Sequence, residues 1–417
     1  MTKFEFRVRI AQSLAEVPPA AWNSCARYTA GLVIKEKDEV KLTSEDNESP
    51  ELSTQGQSNN PFTAHEFLSS LEESGSVGGR TGWQPRHLLA DAGGNVLGVA
   101  PCYVKSHSRG EYVFDHGWAE AFERAGGDYY PKLQISVPFT PVTGPRLFAA
   151  PGGQEDAVRR ALADAIVEIT TANELSSAHV TFLTEREWHA LGKQGFLQRT
   201  DRQFHWENDG YANFEDFLNR LASRKRKTIR RERKEALSAA IDVHWLTGSD
   251  LTEAVWDAFF SFYMETGSRK WGRPYLTREF FSIVGEKMRD RILLVMARRA
   301  GRWIAGAINF IGADTLYGRN WGAIEHHPFL HFELCYYQAI EYAIANKLMR
   351  VEAGAQGEHK LARGYMPHTT YSAHYIANPA LRRAVAEYLS RERIYVQAAA
   401  EELAAATPFR KDLVEQE

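Results

Sequence analysis

The sequence has few cysteines and no long apolar run. Its 417 residues include only Cys25, Cys102 and Cys335, which are odd in number and far apart, so neither a disulfide framework nor a zinc-ribbon spacing is expected. No stretch approaches the roughly 18 apolar residues that span a bilayer. The chain starts with an alternating, edge-type strand and lacks the apolar block of a signal peptide. We therefore expect a cytoplasmic protein without a membrane span.

The sequence also has little net charge for its length. It has 50 lysines and arginines and 53 aspartates and glutamates, which gives a formal net charge of −3. Such a chain does not gather nucleic acid through its overall field, so any such contact has to be local. With 44% hydrophobic and 25% charged residues, the composition is that of a globular protein. The length is sufficient for two domains.

One segment has too few apolar residues to fold by itself. From Lys35 to Asn60 the chain is rich in Ser, Asn, Glu and Lys and nearly free of aromatic residues. This composition cannot bury enough surface to offset the entropy of ordering the chain. We predict a flexible insertion here, with regular structure resuming around Pro61.

Several patterns occur twice in the same order. In each set a strand, turn and strand surround a glycine, a long helix then runs into a strand, and a Gly-aromatic pair precedes a histidine that lies nine residues past the aromatic residue. In chain order the markers are Gly98, Ala165, Gly195-Phe196 and His205 in the first set, and Gly306, Ala339, Gly364-Tyr365 and His374 in the second. We infer an internal duplication that gives two like domains.

Both sets predict an α/β fold with mixed sheets. The apolar residues of each long helix recur at i, i+3 and i+4, which marks one buried face, and strands mixed with crossover helices form sheets of mixed direction. We predict an N-terminal domain over residues 1–206 with the insertion at 35–60, a basic helical connection over 207–240, and a C-terminal domain over 241–417. A last helix is expected to begin at Asn378-Pro379.

The order of elements resembles that of the GNAT acyl-CoA N-acyltransferase fold, which implies two tandem GNAT-like domains. The segments HALGKQGF (189–196) and HKLARGY (359–365) look like the segment that closes that fold. Two such units are characteristic of Fem aminoacyltransferases, which extend peptidoglycan cross-bridges with aminoacyl-tRNA. The blocks TGWQPRHLL, PFTPVTGPRL and EAGAQGEHKLARGY look like the FemAB-like family of peptidoglycan biosynthesis or recognition proteins. The resemblance implies acyl-CoA or aminoacyl-tRNA as co-substrate, and no permanently bound cofactor.

The densest cluster of titratable groups is RVEAGAQGEHKLARGY, residues 350–365. These groups follow a strand, where α/β proteins form their sites, and glycines there permit close approach to a ligand. A cation would stabilise the oxyanion that forms as an amine attacks a carbonyl, and a histidine would take the proton of the amine. We predict catalytic roles and substrate contacts here; the alternative is a glycine-rich turn with solvated charges. The predicted catalytic residues are Glu352, His359, Lys360 and Arg363, and the predicted contacts are Gln356 and the more distant His374.

Two further segments are predicted to contact substrate. One is the strand that faces this site, and the other is the rigid loop PFTPVTGPRL, a type of loop that often lines a cleft and equally often covers a core edge. The predicted contacts are Tyr317, Arg319, Asn320 and Trp321 in the strand and Phe139, Thr140 and Arg146 in the loop. Gly152 and Gly153 precede a long helix and could hold the phosphates of an acyl-CoA, or form a plain glycine-rich helix start.

Basic residues are concentrated in SRKRKTIRRERK, residues 223–234. On a helix Arg226, Arg230 and Lys234 lie at i, i+4 and i+8 and form one cationic stripe. We predict that Arg226 and Arg230 contact an acidic partner such as tRNA or a nucleotide-linked cell-wall precursor. The alternative is a solvated helix between the domains.

No metal-binding spacing, nucleophile elbow or convincing Cys-His pairing is visible in the sequence. We therefore expect an N-acyltransferase in which a small-molecule or peptide amine attacks an activated ester directly, without a covalent enzyme intermediate. The predicted cleft lies in the second domain near its junction with the first. The alternative is a non-catalytic protein that recognises a peptidoglycan precursor or another acidic ligand with the same cleft.

Overall fold

Strands and helices follow each other along the described part of the chain. The computed structural model describes residues 6–29, 59–271, 274–355 and 357–410. The strands are β1 Arg7–Ala11, β2 Trp83–Pro85, β3 His87–Ala92, β4 Asn95–Ala100, β5 Cys102–Lys105, β6 Lys132–Ile135, β7 Phe148–Ala149, β8 Ser177–Leu183, β9 Leu197–Glu207, β10 Ile241–Leu246, β11 Ile292–Arg299, β12 Arg302–Ile311, β13 Thr315–Ala323, β14 Arg350–Glu352 and β15 Met366–Ile376.

The helices lie between and after these strands. They are α1 Pro19–Ala26, α2 His65–Glu73, α3 His116–Arg124, α4 Glu155–Ala172, α5 Glu185–Lys193, α6 Phe214–Arg220, α7 Ser223–Ala236, α8 Glu253–Trp271, α9 Arg278–Met288, α10 Leu330–Phe332, α11 Gln338–Ala345 and α12 Pro379–Ala405. A π-helical segment, Glu333–Tyr337, joins α10 to α11, and a 3₁₀ segment, Glu358–Arg363, follows β14. The last helix begins where it was predicted, with the side chain of Asn378 as its N-cap.

The described strands form one large mixed sheet and one small antiparallel sheet. The large sheet has the order β10-β11-β12-β13-β14-β9-β15-β8-β6-β5-β2, and the small one has the order β1-β3-β4-β7. β13 runs parallel to β14, and β6 runs parallel to β8. Strand β1 lies at an edge, as its alternation predicted. The predicted α/β fold with sheets of mixed direction is confirmed.

The last strand of each repeated set lies in the sheet of the other set. β9 pairs with β14 and β15, while β15 lies between β9 and β8. The resemblance predicts that the segments before β9 and β15 each close their own domain. Instead β9 and β15 pair with each other, and each of them completes the unit of the other repeated set. The sheet is therefore continuous. The predicted division of the chain into two domains and a connection, at 1–206, 207–240 and 241–417, stays a proposal.

A local two-fold axis relates β9 and β15. Their ladder pairs Leu197 with His374, Met366 with His205, and Asp201 with Thr370 at the centre. Residues paired in an antiparallel ladder share a face, and so do alternate residues of one strand. Between the two ends, this face of both strands is polar throughout, with the side chains of Arg199, Asp201, Gln203, His205, His368, Thr370, Ser372 and His374.

Most of the predicted insertion, residues 35–58, lies outside the described residues. Its last two positions are buried: Oδ1 of Asn59 accepts from N of Thr29 at 2.8 Å, and Oδ1 of Asn60 accepts from N of Phe62 at 3.0 Å. Asn59 and Asn60 therefore belong to the polar segment by composition, although they already contact the fold. The three cysteines form no disulfide. Within the described residues, no helix has the length and apolar character required to cross a membrane.

Candidate functional site

A cavity of about 290 Å³ lies on the polar face of the β9–β15 ladder. The two strands form its floor. Residues 112–114, the turn after β14 and two residues of α12 form its walls. The floor residues include Arg199, Asp201, Gln203, Thr370 and Ser372, and the turn contributes Ala355, Gly357 and Glu358. Gln356, predicted to bind substrate, lies outside the described residues. Because the floor is made of exchanged strands, both repeated sets contribute to this cavity.

Glu352 is the buried acid of the predicted catalytic group. It ends β14, opposite Tyr317 of β13 and His205 of β9. Its Oε2 is 4.0 Å from Nε2 of His205 and has no hydrogen-bond partner within the described part of the chain. Burial raises the pKa of this carboxyl to about 8, although Arg350 and Arg319 act in the opposite direction. The group therefore gains and loses its proton near neutral pH.

Gln203 connects this pair to the cavity. Its Nε2 donates to O of Pro141 at 2.7 Å, which directs its Oε1 toward Nε2 of His205, 3.3 Å away. Burial holds the pKa of His205 well below its ordinary value, so the ring is neutral and carries one proton. Since a carbonyl oxygen only accepts, that proton is on Nε2. Nδ1 of His205 is then a bare acceptor, and none of the described residues donates to it.

Two cationic side chains, Lys360 and Arg319, lie behind the wall of the cavity. Nζ of the buried Lys360 donates to O of Gly354 at 2.8 Å, and burial lowers the pKa of its ammonium to about 8. Arg319 donates to O of Phe139 and interacts with the hydroxyl of Tyr112, which lines the cavity. Arg319 interacts electrostatically with Glu352 and also with Lys360.

The other two predicted catalytic residues attach the turn to nearby helices. Nη2 of Arg363 lies 2.9 Å from Oε2 of Glu232 in α7, with both side chains buried, and its guanidinium lies 3.5 Å from the centre of the Phe332 ring. Nε2 of His359 lies 3.0 Å from the hydroxyl of Tyr336. Arg363 thus fixes the position of the 3₁₀ segment that carries Lys360.

The predicted strand and loop contacts meet each other. Phe139 and Thr140 face Arg319 and Asn320 across a space of about 20 Å³, which holds about one water molecule. Tyr317 is buried beside them, with its ring centre 5.5 Å from that of Phe62. These residues join the two repeated sets behind the cavity. Trp321 lies apart from them, with its ring 5.2 Å from that of His331.

Arg146 is fully buried within the proline-rich loop. Its guanidinium donates to four backbone oxygens at 2.6–3.0 Å, those of Val142, Gly144, Pro145 and Thr181. Burial lowers the pKa of this side chain to about 10. The contacts of Arg146 in the structure are therefore those of a residue that fixes the shape of the loop.

Gly152 and Gly153 lie just before α4, where the chain supplies its own anion. N of Gly152 donates to Oε1 of Glu155 at 3.3 Å. Hydrogen bonds from the amides of Glu155, Gly152 and Gly153 lower the pKa of the Glu155 carboxyl, and Nη2 of Arg27 lies 3.6 Å from it. A phosphate bound at this helix start would have to displace that carboxylate.

The basic segment forms the helix α7, as predicted. Arg230 is exposed and forms an ion pair with Glu215, and Arg226 is half-buried. On the inner side, Nη2 of Arg233 lies 2.9 Å from Oε1 of Glu333. The outer side carries Arg224, Lys227 and Arg231. The helix is thus attached through its inner side, and cations remain on its outer side. The predicted binding role of Arg226 and Arg230 stays a prediction.

His374 lies at the opposite end of the ladder from Glu352. Its Nδ1 is 2.7 Å from Nδ1 of His179 in β8, and its Nε2 is 3.0 Å from Oγ of Ser372. His374 pairs with Leu197 and Glu352 with His205, so the two ends are eight residues of β9 apart, or roughly 27 Å at the rise of a strand. The structure therefore does not bring His374 together with the other predicted catalytic residues.

Sequence reasoning missed Gln203, His205 and Ser372 as site residues. The signal that could have found them is the alternation of polar residues in RTDRQFHW (199–206) and HTTYSAHY (368–375). The repeat includes the two histidines of these strands, but the sequence pattern does not indicate what covers their polar face. The structure describes no group of three or more His, Cys, Asp or Glu side chains placed to hold a metal ion.

Comparison with known proteins agrees with the resemblance found in the sequence. Similar solved structures include FemX (12% identity, covering 77% of this chain and 93% of that chain, TM-score 0.47) and a tandem GNAT protein from the clavulanic acid biosynthesis pathway (11%, 90% and 99%, 0.42). L-PGS from Bacillus licheniformis is similar as well (8%, 80% and 98%, 0.48). No curated protein sequence matches. The FemAB-like family model, described as peptidoglycan biosynthesis/recognition, matches residues 13–411, and the chain therefore belongs to the FemAB-like family.

Proposed function

We propose that the protein transfers an acyl or aminoacyl group to an amine in cell-wall metabolism. The observation that carries this proposal is a pair of buried polar atoms without a partner among the described residues. They are Nδ1 of His205 and Oε2 of Glu352, which accepts when its carboxyl is ionised. Leaving a buried acceptor without a donor costs about 1–3 kcal/mol, so a ligand that donates is favoured there. An ammonium or amine group supplies donors. Membership in a family of peptidoglycan biosynthesis or recognition proteins supports an amine on a cell-wall precursor.

The groups around this pair suit the transfer step. A carboxylate whose pKa is about 8 can take a proton from an ammonium group, because the two pKa values are then close. The free amine attacks the carbonyl carbon of the donor and forms a C–N bond. Lys360 or Arg319 stabilises the negative charge on the carbonyl oxygen. As the bond to the leaving oxygen or sulfur breaks, Glu352 returns its proton to that atom. The nitrogen, which carries a positive charge after the attack, then loses its second proton to the Glu352 carboxylate, which releases it to solvent.

The donor is an acyl-CoA or an aminoacyl-tRNA, and two observations favour the latter. The amides of Gly152 and Gly153, the expected site for coenzyme A phosphates, already bind Glu155. The cations on the outer side of α7 suit a long phosphate backbone. We propose that Arg226 and Arg230 contact the donor or a nucleotide-linked acceptor.

The test compares the unchanged protein with Glu352→Gln, using labelled aminoacyl-tRNA or acetyl-CoA as donor and a UDP-linked muropeptide as acceptor. We expect the variant to lose roughly 100-fold or more in kcat, the scale of general-base catalysis, with a melting temperature at about pH 6 that is no lower than that of the unchanged protein. Glu387→Gln, an exposed change on α12, is the matched control. Full activity in Glu352→Gln would contradict the assignment. Binding of the muropeptide without turnover in the unchanged protein would indicate recognition alone.

A further inference from the structure

A second chain of hydrogen bonds leads from the cavity into the first repeated set. It begins at Ser372, a lining residue of the cavity, with Oγ 3.0 Å from Nε2 of His374. Nδ1 of His374 is 2.7 Å from Nδ1 of His179. All three residues are buried, with 4% of Ser372, 1% of His374 and 2% of His179 exposed. The chain is therefore shielded from solvent except where Ser372 meets the cavity.

The protons of this chain can be assigned from its inner end. Oγ of Ser176 donates its one proton to O of Tyr129 at 2.5 Å. The proton of Ser177 then points to Oγ of Ser176, 3.1 Å away. The oxygen of Ser177 is left to accept from Nε2 of His179 at 2.8 Å. The proton of the His179 ring is therefore on Nε2.

The remaining protons follow in order toward the cavity. Burial, with help from Lys132, lowers the pKa of His179 to about 3, so its ring is neutral and its Nδ1 is bare. Nδ1 of His374 must then donate to Nδ1 of His179. The pKa of His374 is also well below its ordinary value because of burial, so its Nε2 is bare and accepts the proton of the Ser372 hydroxyl. Each donor in the chain points inward, away from the cavity.

We propose that Ser372 is a nucleophile that takes the acyl group of an activated carboxylic ester bound in the cavity, with His374 as its base. His179 acts through His374 and is a positioning residue. A hydroxyl whose proton is held by a bare imidazole nitrogen presents its oxygen lone pairs to the cavity, which is the arrangement of an activated serine. A hydroxyl that only stabilised the strand would not need an imidazole in this proton state.

Groups beyond His179 stabilise the positive charge that the step creates. Oδ2 of Asp115 lies 3.7 Å from Nε2 of His179 and accepts from Tyr129 at 2.8 Å and from Nζ of Lys132 at 2.5 Å. The pKa of Asp115 lies well below its usual range because Lys132 outweighs the effect of burial. A fixed carboxylate therefore lies behind the pair of imidazoles, as a third group lies behind the base in serine hydrolases.

The steps balance without a further reactant except water. Oγ of Ser372 forms a bond to the ester carbonyl carbon while its proton moves to Nε2 of His374. The bond from that carbon to the ester oxygen breaks, and the leaving alcohol takes the proton from Nε2. Water then attacks the acyl-serine and gives its proton to His374. The bond between the acyl carbon and Oγ breaks, and the proton returns to Oγ. The products are a carboxylic acid and an alcohol.

This activity does not depend on the proposed transfer to an amine. Ser372 lies roughly 20 Å from Glu352 along the ladder, and neither Ser372 nor His374 takes part in the step assigned to Glu352. The proposed activity also differs from the direct attack of an amine on an ester that was expected from the sequence, because here the acyl group is bound covalently to Ser372 between the two steps. Labelling of Ser372 needs no amine, so the two proposals succeed or fail separately.

The test treats the unchanged protein with a fluorophosphonate and, separately, with p-nitrophenyl acetate, followed by rapid acid quenching and peptide mapping by mass spectrometry. We expect one adduct per chain on the β15 peptide at Ser372, and none in Ser372→Ala. Thr369→Ala is the matched control, because it removes an exposed hydroxyl from the same strand on the opposite face. It should be labelled like the unchanged protein.

Mapping in the unchanged protein locates the adduct even if Ser372→Ala fails to fold. An adduct on another residue, equal labelling of folded Ser372→Ala, or no adduct with either reagent would overturn the proposal. Glu387→Gln, an exposed change on α12, should be labelled at the same rate as the unchanged protein. A loss of labelling in Glu352→Gln would show that the two ends of the ladder are one site, and the proposal of a separate activity would fail.

Discussion

Replacing Glu352 with Gln should change the pH dependence of stability. In the folded protein the pKa of this carboxyl is about 8, against an ordinary value of 4.5. The folded protein therefore keeps a proton that the unfolded chain releases. A group whose pKa is raised by folding stabilises fully below its unfolded pKa, and this stabilisation is lost as the pH rises to the folded pKa.

The size of this loss follows from the two pKa values. One pKa unit corresponds to about 1.4 kcal/mol, so the unchanged protein should lose at most about 5 kcal/mol of unfolding free energy between pH 4.5 and 8 through this group. Only 6% of the Glu352 surface is exposed, so solvent screens the effect little. Glutamine has the shape of the protonated carboxyl and cannot ionise. Over this range the variant and the parent should therefore differ least near pH 5 and most near pH 8.5.

Urea unfolding followed by circular dichroism at about pH 5, 6, 7 and 8.5 measures this difference. We expect Glu352→Gln to be more stable than the parent at high pH, by roughly 2–5 kcal/mol, and Glu387→Gln to follow the parent at every pH. Comparison with the parent removes contributions of other titrating groups such as Lys360. A difference between variant and parent that stays constant from pH 5 to 8.5 would refute the raised pKa and, with it, the role of Glu352 as a proton acceptor.

Three further substitutions test the surroundings of the site. Arg363→Met leaves Glu232 as an unpaired buried charge and should destabilise the protein by about 3–5 kcal/mol in chemical denaturation; unchanged stability would mean that the ion pair is absent in solution. Lys360→Met keeps the apolar stem and removes the charge, so transfer should fall roughly 100-fold while melting is retained, and full activity would place the oxyanion elsewhere. Arg226→Gln combined with Arg230→Gln should leave melting nearly unchanged and weaken binding of tRNA or a UDP-linked precursor at low salt; equal binding by parent and variant would leave only a solvated helix.

The alternation of elements and the duplication were predictable because both depend on local periodicity. Period 3.6 in the long helices and period 2 in the strands identified the mixed α/β fold. The exchange of β9 and β15 was not predictable in this way. Both strands alternate in the same sense, so each would bury the same apolar side chains in its own unit or in the other one. Local pattern fixes the faces of such a strand, and tertiary pairing fixes its neighbours.

The site was predictable to a similar extent. Glu352 and Lys360 were found because they follow a strand and lie among glycines. Gln203 and Ser372 were missed because the polar face of an alternating strand usually contacts solvent. Here residues 112–114 and α12 cover that face and turn it into the floor of a cavity. Arg363 drew attention as a cation beside these groups, but its partner Glu232 lies 131 residues earlier in the sequence.

Strand β8 is synthesised long before its partner β15. β8 ends at Leu183 and β15 begins at Met366, so a ribosome that adds roughly 5–20 residues per second needs on the order of 10–40 s to supply the missing strand. Over this interval one edge of β8 lacks its native partner and can pair with a strand of another nascent chain. Slow translation or dense polysomes should therefore lower the yield of correctly folded protein, and a chaperone that covers the nascent edge should restore it.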